Sequence, residues 1–352
     1  MFINRLIKRI LYYSGVLEVL QFFIISRLPI CMILRYHSII ADSKDEFICV
    51  TPSVTMLKSE FEKQIRYLTK RYNILSLEQL IDGIKEKKVV PENSMVITFD
   101  DGYRDNYLYA YPILKKYNAI ATIYLTVDHI GNNSMLWMHK VIYLLNNARV
   151  KQVTINGVDF KIETKLEKKD AELKITSMMK KINQDKRDGF LAELAQKLEV
   201  EIGDNIDNAM MSWGDAREMM KDGFLFGSHT LSHCNLPNSL HVTNELLISK
   251  EKMERNLNCK VNLFSYPNGG AESYYNEEIK QKVKMSGYIC ATTSLCGVVA
   301  VESDLFELRR KGVPKGTRLD ELAAEIAFEK MSWWIRSFVL RMLSEISKRR
   351  DK

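Results

Sequence analysis

The chain has no Cys-x-x-Cys pair and no regular cysteine spacing; its six cysteines stand at 31, 49, 234, 259, 290 and 296. A disulfide framework is therefore not expected in a chain of 352 residues, and the thiols read as reduced and mostly buried. It also lacks an uncharged apolar run approaching the roughly 20 residues that span a bilayer. Glu18, Gln21 and Arg27 interrupt the apolar N-terminal stretch, and no small-residue cleavage site follows it. No internal repeat is present. The middle of the chain lacks net charge, because the whole excess of +7 sits at the two ends. Arg5, Lys8 and Arg9 stand without an acid in residues 1–10. Arg336, Arg341, Lys348, Arg349, Arg350 and Lys352 face only Glu345 and Asp351 in residues 331–352. A nucleic-acid footprint would be a basic patch on the folded domain, so no nucleic-acid partner is expected. What is present is ample core material: 46% of the residues are hydrophobic and 27% charged, which excludes a disordered chain.

Periodicity predicts the elements. Phe2, Leu6, Ile10, Tyr13, Leu17, Leu20 and Ile24 recur every three or four residues, which predicts one or two amphipathic helices over 2–26. Residues 30–36, 95–99, 120–125, 224–228, 262–266 and 288–293 read as short buried strands. Between them lie helical stripes such as Leu57, Phe61, Ile65 and Leu68. Alternation of this kind signals an α/β domain with parallel strands. The pattern is broken over 132–211, where an Asn156-Gly157 hairpin signal and Lys/Glu-rich helical text predict an insertion that covers or borders the main domain.

Three predicted strand ends collect reactive groups, and ligands bind at the carboxyl ends of parallel strands. The first is Thr98-Phe-Asp100-Asp101-Gly102-Tyr103, the second His229-Thr-Leu-Ser-His233, and the third Phe264-Ser-Tyr266-Pro267-Asn268-Gly269. One carboxylate with two histidines is a metal-ligand set that leaves positions for water and substrate. A second carboxylate beside it suits a general base toward metal-bound water. A backbone N–H in the third loop suits a developing oxyanion. Together these are the equipment of a metal-assisted amide or ester hydrolase.

In that order the three motifs resemble those of the polysaccharide deacetylases, the NodB-homology carbohydrate esterases, over about residues 30–315. The resemblance implies a distorted (β/α) barrel of the NodB-homology type, here with an inserted α+β subdomain and amphipathic terminal helices. It implies hydrolysis of the N-acetyl group of an amino sugar in a surface polysaccharide or its lipid- or nucleotide-linked precursor. It implies one divalent metal, zinc, on Asp101, His229 and His233, with Asp100 as general base. The Asn268 backbone N–H, in a loop with Tyr266 and Pro267, would serve the oxyanion and substrate. The family acid, a late-motif histidine, has no counterpart, since no histidine follows His241. A permuted, exopolysaccharide-acting subgroup places a Tyr-His at the end of an N-terminal strand. Tyr36-His37 resembles it, which makes His37 the expected acid, across the substrate position from Asp100. Where many relatives carry an arginine that orients the base, this chain has Ser265. Arg310 resembles an arginine of the permuted subgroup and is the expected substitute. His129, His139 and His241 match no motif and read as structural.

Two other readings stay open at this level: a catalytically silent glycan-binding module on the same fold, and a non-haem iron enzyme using the same ligand set. The domain plan expected is an N-terminal helical segment over 1–29, a deacetylase-like domain over 30–315 with its insertion at 132–211, and a basic amphipathic helix over 316–352. The partner expected is a carbohydrate. The expected location is the cytoplasm, with the termini either packed on the barrel or in peripheral contact with an anionic inner membrane surface.

Overall fold

The short apolar strands assemble into one curled parallel sheet. The computed structural model describes residues 2–42, 54–86, 88–132, 134–201, 209–268 and 274–350. Its strands, in chain order, are β1 (Cys31–Tyr36), β2 (Ser38–Ile40), β3 (Thr55–Leu57), β4 (Asn73–Ile74), β5 (Ser94–Phe99), β6 (Thr122–Leu125), β7 (Gln152–Ile155), β8 (Val158–Lys161), β9 (Leu225–Ser228), β10 (Leu263–Ser265), β11 (Cys290–Thr292) and β12 (Arg310–Gly312). Eight strands form a sheet of order β11-β10-β9-β6-β5-β1-β12, with β4 also beside β5, and its pairings are parallel. Thr292 at the end of β11 bridges to Leu308 just ahead of β12, so the sheet comes round to a nearly closed barrel. Because the strands run one way, their carboxyl ends share a single rim.

Side chains alternate across the barrel wall, as strand geometry requires. Ile33, Val96, Tyr124, Leu263, Cys290 and Leu308 share one buried cluster with Leu80, Ile81 and Ile84 of the helix Leu77–Lys85. Met32, Leu34 and Tyr36 of β1, with Met95, Ile97 and Phe99 of β5, belong to the cluster that includes Phe61, Ile65 and Leu68 of the helix Lys58–Arg71. Gly227 in β9 faces the Tyr124 ring so closely that a Cβ there would lie 2.6 Å from it. A larger residue would separate two neighbouring barrel strands.

The insertion has its own small core. β7 and β8 pair antiparallel around Asn156 and Gly157, whose φ values of 50° and 76° make the expected tight hairpin turn. Against the hairpin pack the helices Trp137–Asn147, Lys165–Lys180 and Gln184–Leu198. Val141, Leu144, Val153, Phe160, Ile175 and Leu194 are among the residues they bury. Thr164 opens the second of these helices with a capping box to Glu167.

The N-terminal text folds as the helices Phe2–Tyr13 and Val16–Phe23, and the C-terminal text as one helix, Leu319–Arg350. They meet: Leu17 and Ile25 pack on Ala323, Ala324 and Ala327. Arg5 pairs with Glu321 at 2.8 Å and Lys8 with Glu325 at 2.7 Å. The basic N-terminus is thus largely matched by acids of the terminal helix. The assembly reaches the base of the barrel, where Gln21 bonds to Asn93 just ahead of β5 and Trp333 packs on Leu28 and Ile30, ahead of β1, and on Ala300. Among the described cysteines none is paired, and Cys31, Cys234 and Cys290 are buried.

Candidate active site

β5 ends at Phe99, and the next two residues part company. Asp100 keeps the direction of the strand, its N–H bonded to the Tyr36 carbonyl at 3.1 Å. Asp101 turns into the left-handed region at φ 79°, and Gly102 follows at 85°. A non-glycine residue held there stores strain, and such strain collects at functional sites. The turn sends the two carboxylates to different partners.

Asp101 faces the loop after β9. Its Oδ1 lies 3.5 Å from His229 Nε2 and 3.3 Å from His233 Nε2. Donor atoms about 2.0–2.1 Å from one tetrahedral ion stand about 3.3–3.4 Å apart, so the spacing fits a small divalent cation. Asp101 Oδ1 is buried without a hydrogen-bond donor, which is the state of an oxygen reserved for a metal. His229 Nδ1 bonds to the Ser265 carbonyl at 2.8 Å, so it carries the proton and leaves the Nε2 lone pair free for a metal. Burial pushes the His229 pKa down to about 4, so the ring is neutral near pH 7. The histidine loop is held from below. Glu245, in the first turn of the helix Val242–Leu257, accepts the Leu231 and Ser232 N–H groups at 2.9 and 3.1 Å and the Ser232 hydroxyl at 2.8 Å.

Asp100 faces Arg310. The guanidinium donates to both carboxylate oxygens at 2.7 and 2.8 Å, to Ser265 Oγ at 2.9 Å, to Thr98 Oγ1 at 3.2 Å and to the Thr293 carbonyl at 2.8 Å. Burial alone would raise the Asp100 pKa, but the charge and hydrogen bonds of Arg310 hold it well below the usual carboxylate range. Ser265 is therefore small for a reason: it leaves room for a guanidinium that arrives from β12.

His37 lies on the same rim, with Nε2 4.0 Å from Asp100 Oδ2. This differs from the expected position across the substrate. β1 and β5 are adjacent and in register, Tyr36 against Phe99, so the residues that follow them are neighbours. Asn106 Nδ2 holds the His37 carbonyl at 2.7 Å, and Ser38 Oγ donates to Asp105. Burial lowers the His37 pKa to about 4.

Asn268 joins the cavity, with its backbone left-handed at φ 59°. Tyr266 and Pro267 do not. Tyr266 lies two residues beyond Phe264, on the same face, where its ring packs on Phe264 and stacks on Tyr275 at 4.6 Å while its hydroxyl bonds to the Phe306 carbonyl. Strand alternation turns it into the core while Ser265 faces Arg310. Of the histidines read as structural, His139 is buried and bonded to the Tyr103 hydroxyl at 2.9 Å.

The insertion expected to cover or border the domain forms the second wall of the site, through residues that no motif marks. The cavity over these residues, about 310 Å³, is closed by the insertion through Trp137, Met138, Glu172, Leu173, Thr176 and Lys180. Trp137 Nε1 donates to the His233 carbonyl at 3.2 Å, and Asn235 and Asn238 donate to the Lys180 carbonyl at 3.2 and 3.1 Å. Arg35 and Ser294, which bond to each other, complete the barrel side. Helical spacing places Glu172, Thr176 and Lys180 on one stripe, but only the docking of the insertion turns that stripe toward the cavity.

Comparison with known proteins bears on the family and the fold. The family model for polysaccharide deacetylase matches residues 87–188 and 199–291. The Bacillus subtilis protein YxkH is 33% identical over 140 residues, 40% of this chain and 43% of that protein. The poly-beta-1,6-N-acetyl-D-glucosamine N-deacetylase of Staphylococcus epidermidis is 34% identical over 109 residues, 29% of this chain and 37% of that protein. The aligned segment thus spans less than half the length of each of these curated relatives. In fold, the chain is similar to the Streptococcus pyogenes deacetylase PplD, solved in complex with acetate, at TM-score 0.56, 20% identity, 83% of this chain and 96% of that one. It is also similar to IcaB from Ammonifex degensii at TM-score 0.53, 15% identity, 85% of this chain and 98% of that one. With a family match across more than half its length and a barrel of the same type, the chain belongs to the polysaccharide deacetylase family.

Proposed function

We propose that this protein removes the N-acetyl group from an amino sugar of a surface polysaccharide or its precursor, as a hydrolase that depends on a divalent metal, zinc. One observation carries the reading: a buried Asp/His/His donor set and a separately clamped carboxylate open into the same cavity. An ion on Asp101, His229 and His233 would supply a Lewis acid for the acetyl carbonyl and lower the pKa of water. Asp100, kept ionised by Arg310, takes the proton of the attacking water. Its neighbour His37 is 4.0 Å away, a short path by which that proton reaches the leaving nitrogen. An amide anion is too basic to depart unprotonated, so the nitrogen needs this donor. Asn268 lines the cavity, and its backbone N–H is the donor this reading assigns to the oxyanion. Acetate release from N-acetylated glucosamine oligomers, measured with added zinc and after chelation, tests the reading; no release from any acetylated glycan in the metal-loaded protein would overturn it.

We propose further that the terminal helices meet a membrane surface. No single helix is long and apolar enough to cross a membrane, while one bent pair, Arg5–Tyr13 with Val16–Arg27, meets the length and composition of a span. The terminal helices nonetheless leave large apolar side chains in solvent, among them Ile10, Phe22, Phe23, Ile335, Phe338 and Leu340. We place this face against the anionic inner surface of the cytoplasmic membrane, where apolar side chains beside Arg27 and Arg336 suit headgroups and acyl chains. Flotation with phosphatidylglycerol vesicles, against phosphatidylcholine vesicles as control, measures it. Equal absence from both would return the helices to a purely structural role.

A further inference from the structure

The charges around the catalytic cavity do not balance. On the barrel side, Asp100 is paired with Arg310, and Asp101 belongs with the two imidazoles to the donor set that would hold the metal. Two cations in the same lining have no carboxylate partner. Arg35 bonds to the Ser294 hydroxyl, and its Nε is buried without an acceptor. Lys180, half-buried at the end of the helix Lys165–Lys180, makes no ion pair among the described residues although its carbonyl is tied to the histidine loop. Leaving a desolvated cation unpaired is costly, and such groups are normally met by an anion. Glu172, on the same stripe, is the one acid of this wall. It is buried, and burial raises its carboxyl toward the neutral form.

The stripe has a useful length. Glu172, Thr176 and Lys180 follow at one-turn intervals, so it runs about 12 Å along the cavity at 1.5 Å per residue. That is more than one sugar ring needs, and Trp137 adds an aromatic side chain beside it. We propose that the insertion is the specificity wall of this site and that it selects an acidic glycan, one whose reacting N-acetyl sugar carries, or adjoins, a phosphate or carboxylate met by Lys180 from the insertion and Arg35 from the barrel. The inference rests on the deacetylase reading for the reacting acetamide, but the preference for charge is independent of turnover.

The test uses three probes with the full-length, metal-loaded protein: N,N′-diacetylchitobiose, its 1-phosphate, and the disaccharide of N-acetylglucosamine and glucuronic acid. Binding is read by calorimetry and turnover by acetate release. The acidic probes should bind at least about tenfold tighter than the neutral one, the scale of a charge-assisted hydrogen bond, and the gap should narrow in high salt. Lys180→Gln should remove most of that preference, and Lys180→Arg should keep it. Lys174→Gln, on an exposed ion-paired residue of the same helix, should not change it. A preference for only one of the two acidic probes identifies the phosphate or the carboxylate as the group read. Equal binding of all three sugars, or a preference that survives Lys180→Gln in a variant with the wild-type melting temperature, overturns the proposal. Acidic preference without acetate release would leave the proposal standing and count against the deacetylase reading alone.

Discussion

Arg310 holds Asp100 with two nitrogens on two oxygens, at 2.7 and 2.8 Å, across 210 residues of sequence. Both side chains are buried, and the guanidinium also bonds to Thr98, Ser265 and Thr293. One contact therefore ties β12 to the end of β5 and fixes the orientation of the carboxylate proposed as the base. Removing one partner of a buried pair destabilises by about 3–5 kcal/mol. Arg310→Ala should lower the denaturant midpoint by an amount of that order and cut turnover together with it. Arg310→Lys cannot make the fork, and it should recover more stability than activity. Wild-type kcat in folded Arg310→Lys would remove the orienting role.

Asp100→Asn should leave the metal in place and slow acetate release by about 10²–10⁴-fold, the usual weight of a general base. Elemental analysis of the purified variant, set beside its kcat, separates this loss from loss of the ion.

Asp101→Asn, His229→Ala or His233→Ala should each abolish stoichiometric metal binding. In the wild type, zinc at 100 times its Kd should stabilise the fold by about 2.7 kcal/mol, read as a rise in melting temperature that chelation reverses. A metal-induced rise of the same size in Asp101→Asn would place the ion elsewhere.

His37→Gln should retain metal and substrate affinity but lose kcat on amides by about 10²–10⁴-fold. The loss should shrink on nitrophenyl acetate, whose leaving group departs without a proton. An equal loss on both substrates would make His37 structural.

Asp105 gives a pH test away from the metal ligands. Burial, acting against hydrogen bonds from Ser38, the Ile39 backbone and Asn106, raises its pKa to about 7. The unfolded value is about 3.9, so between about pH 4 and 7 the folded state holds a proton that the unfolded state has released. Stability from this group is therefore present at low pH and lost as pH rises, by up to about 1.4 kcal/mol per unit. Asp105→Asn should gain on the wild type between pH 5 and pH 8 in denaturant titrations. A constant difference would mean that Asp105 ionises normally.

The strands were legible because each is a short apolar run bounded by turn residues, and the Asn156-Gly157 hairpin because φ above zero is readable from residue type. Asp101, His229 and His233 converge because all three follow carboxyl ends of parallel strands. Strand order was not legible, and it is what sets His37 beside Asp100 instead of opposite it. Tyr266 was misread because a residue two beyond Phe264 shares its face, and that face is core. The insertion wall was hidden for a deeper reason. Nothing local in Glu172, Thr176 or Lys180 says which way their stripe turns. Hydrogen bonds from Trp137, Asn235 and Asn238, between residues far apart in sequence, settle that.

The single polarity of the sheet has a further consequence. The catalytic rim gathers the carboxyl ends of the strands, whereas Gln21 and Trp333 anchor the terminal helices where the strands begin. The helix Leu319–Arg350 leaves β12 on the rim side, where Lys311 pairs with Glu325, and reaches the strand starts at Trp333. From Leu319 to Trp333 it rises about 21 Å at 1.5 Å per residue, so one helix spans the barrel wall from rim to base. An apolar face carried by that helix lies along the flank of the barrel, which leaves the cavity mouth open beside any surface the helix touches.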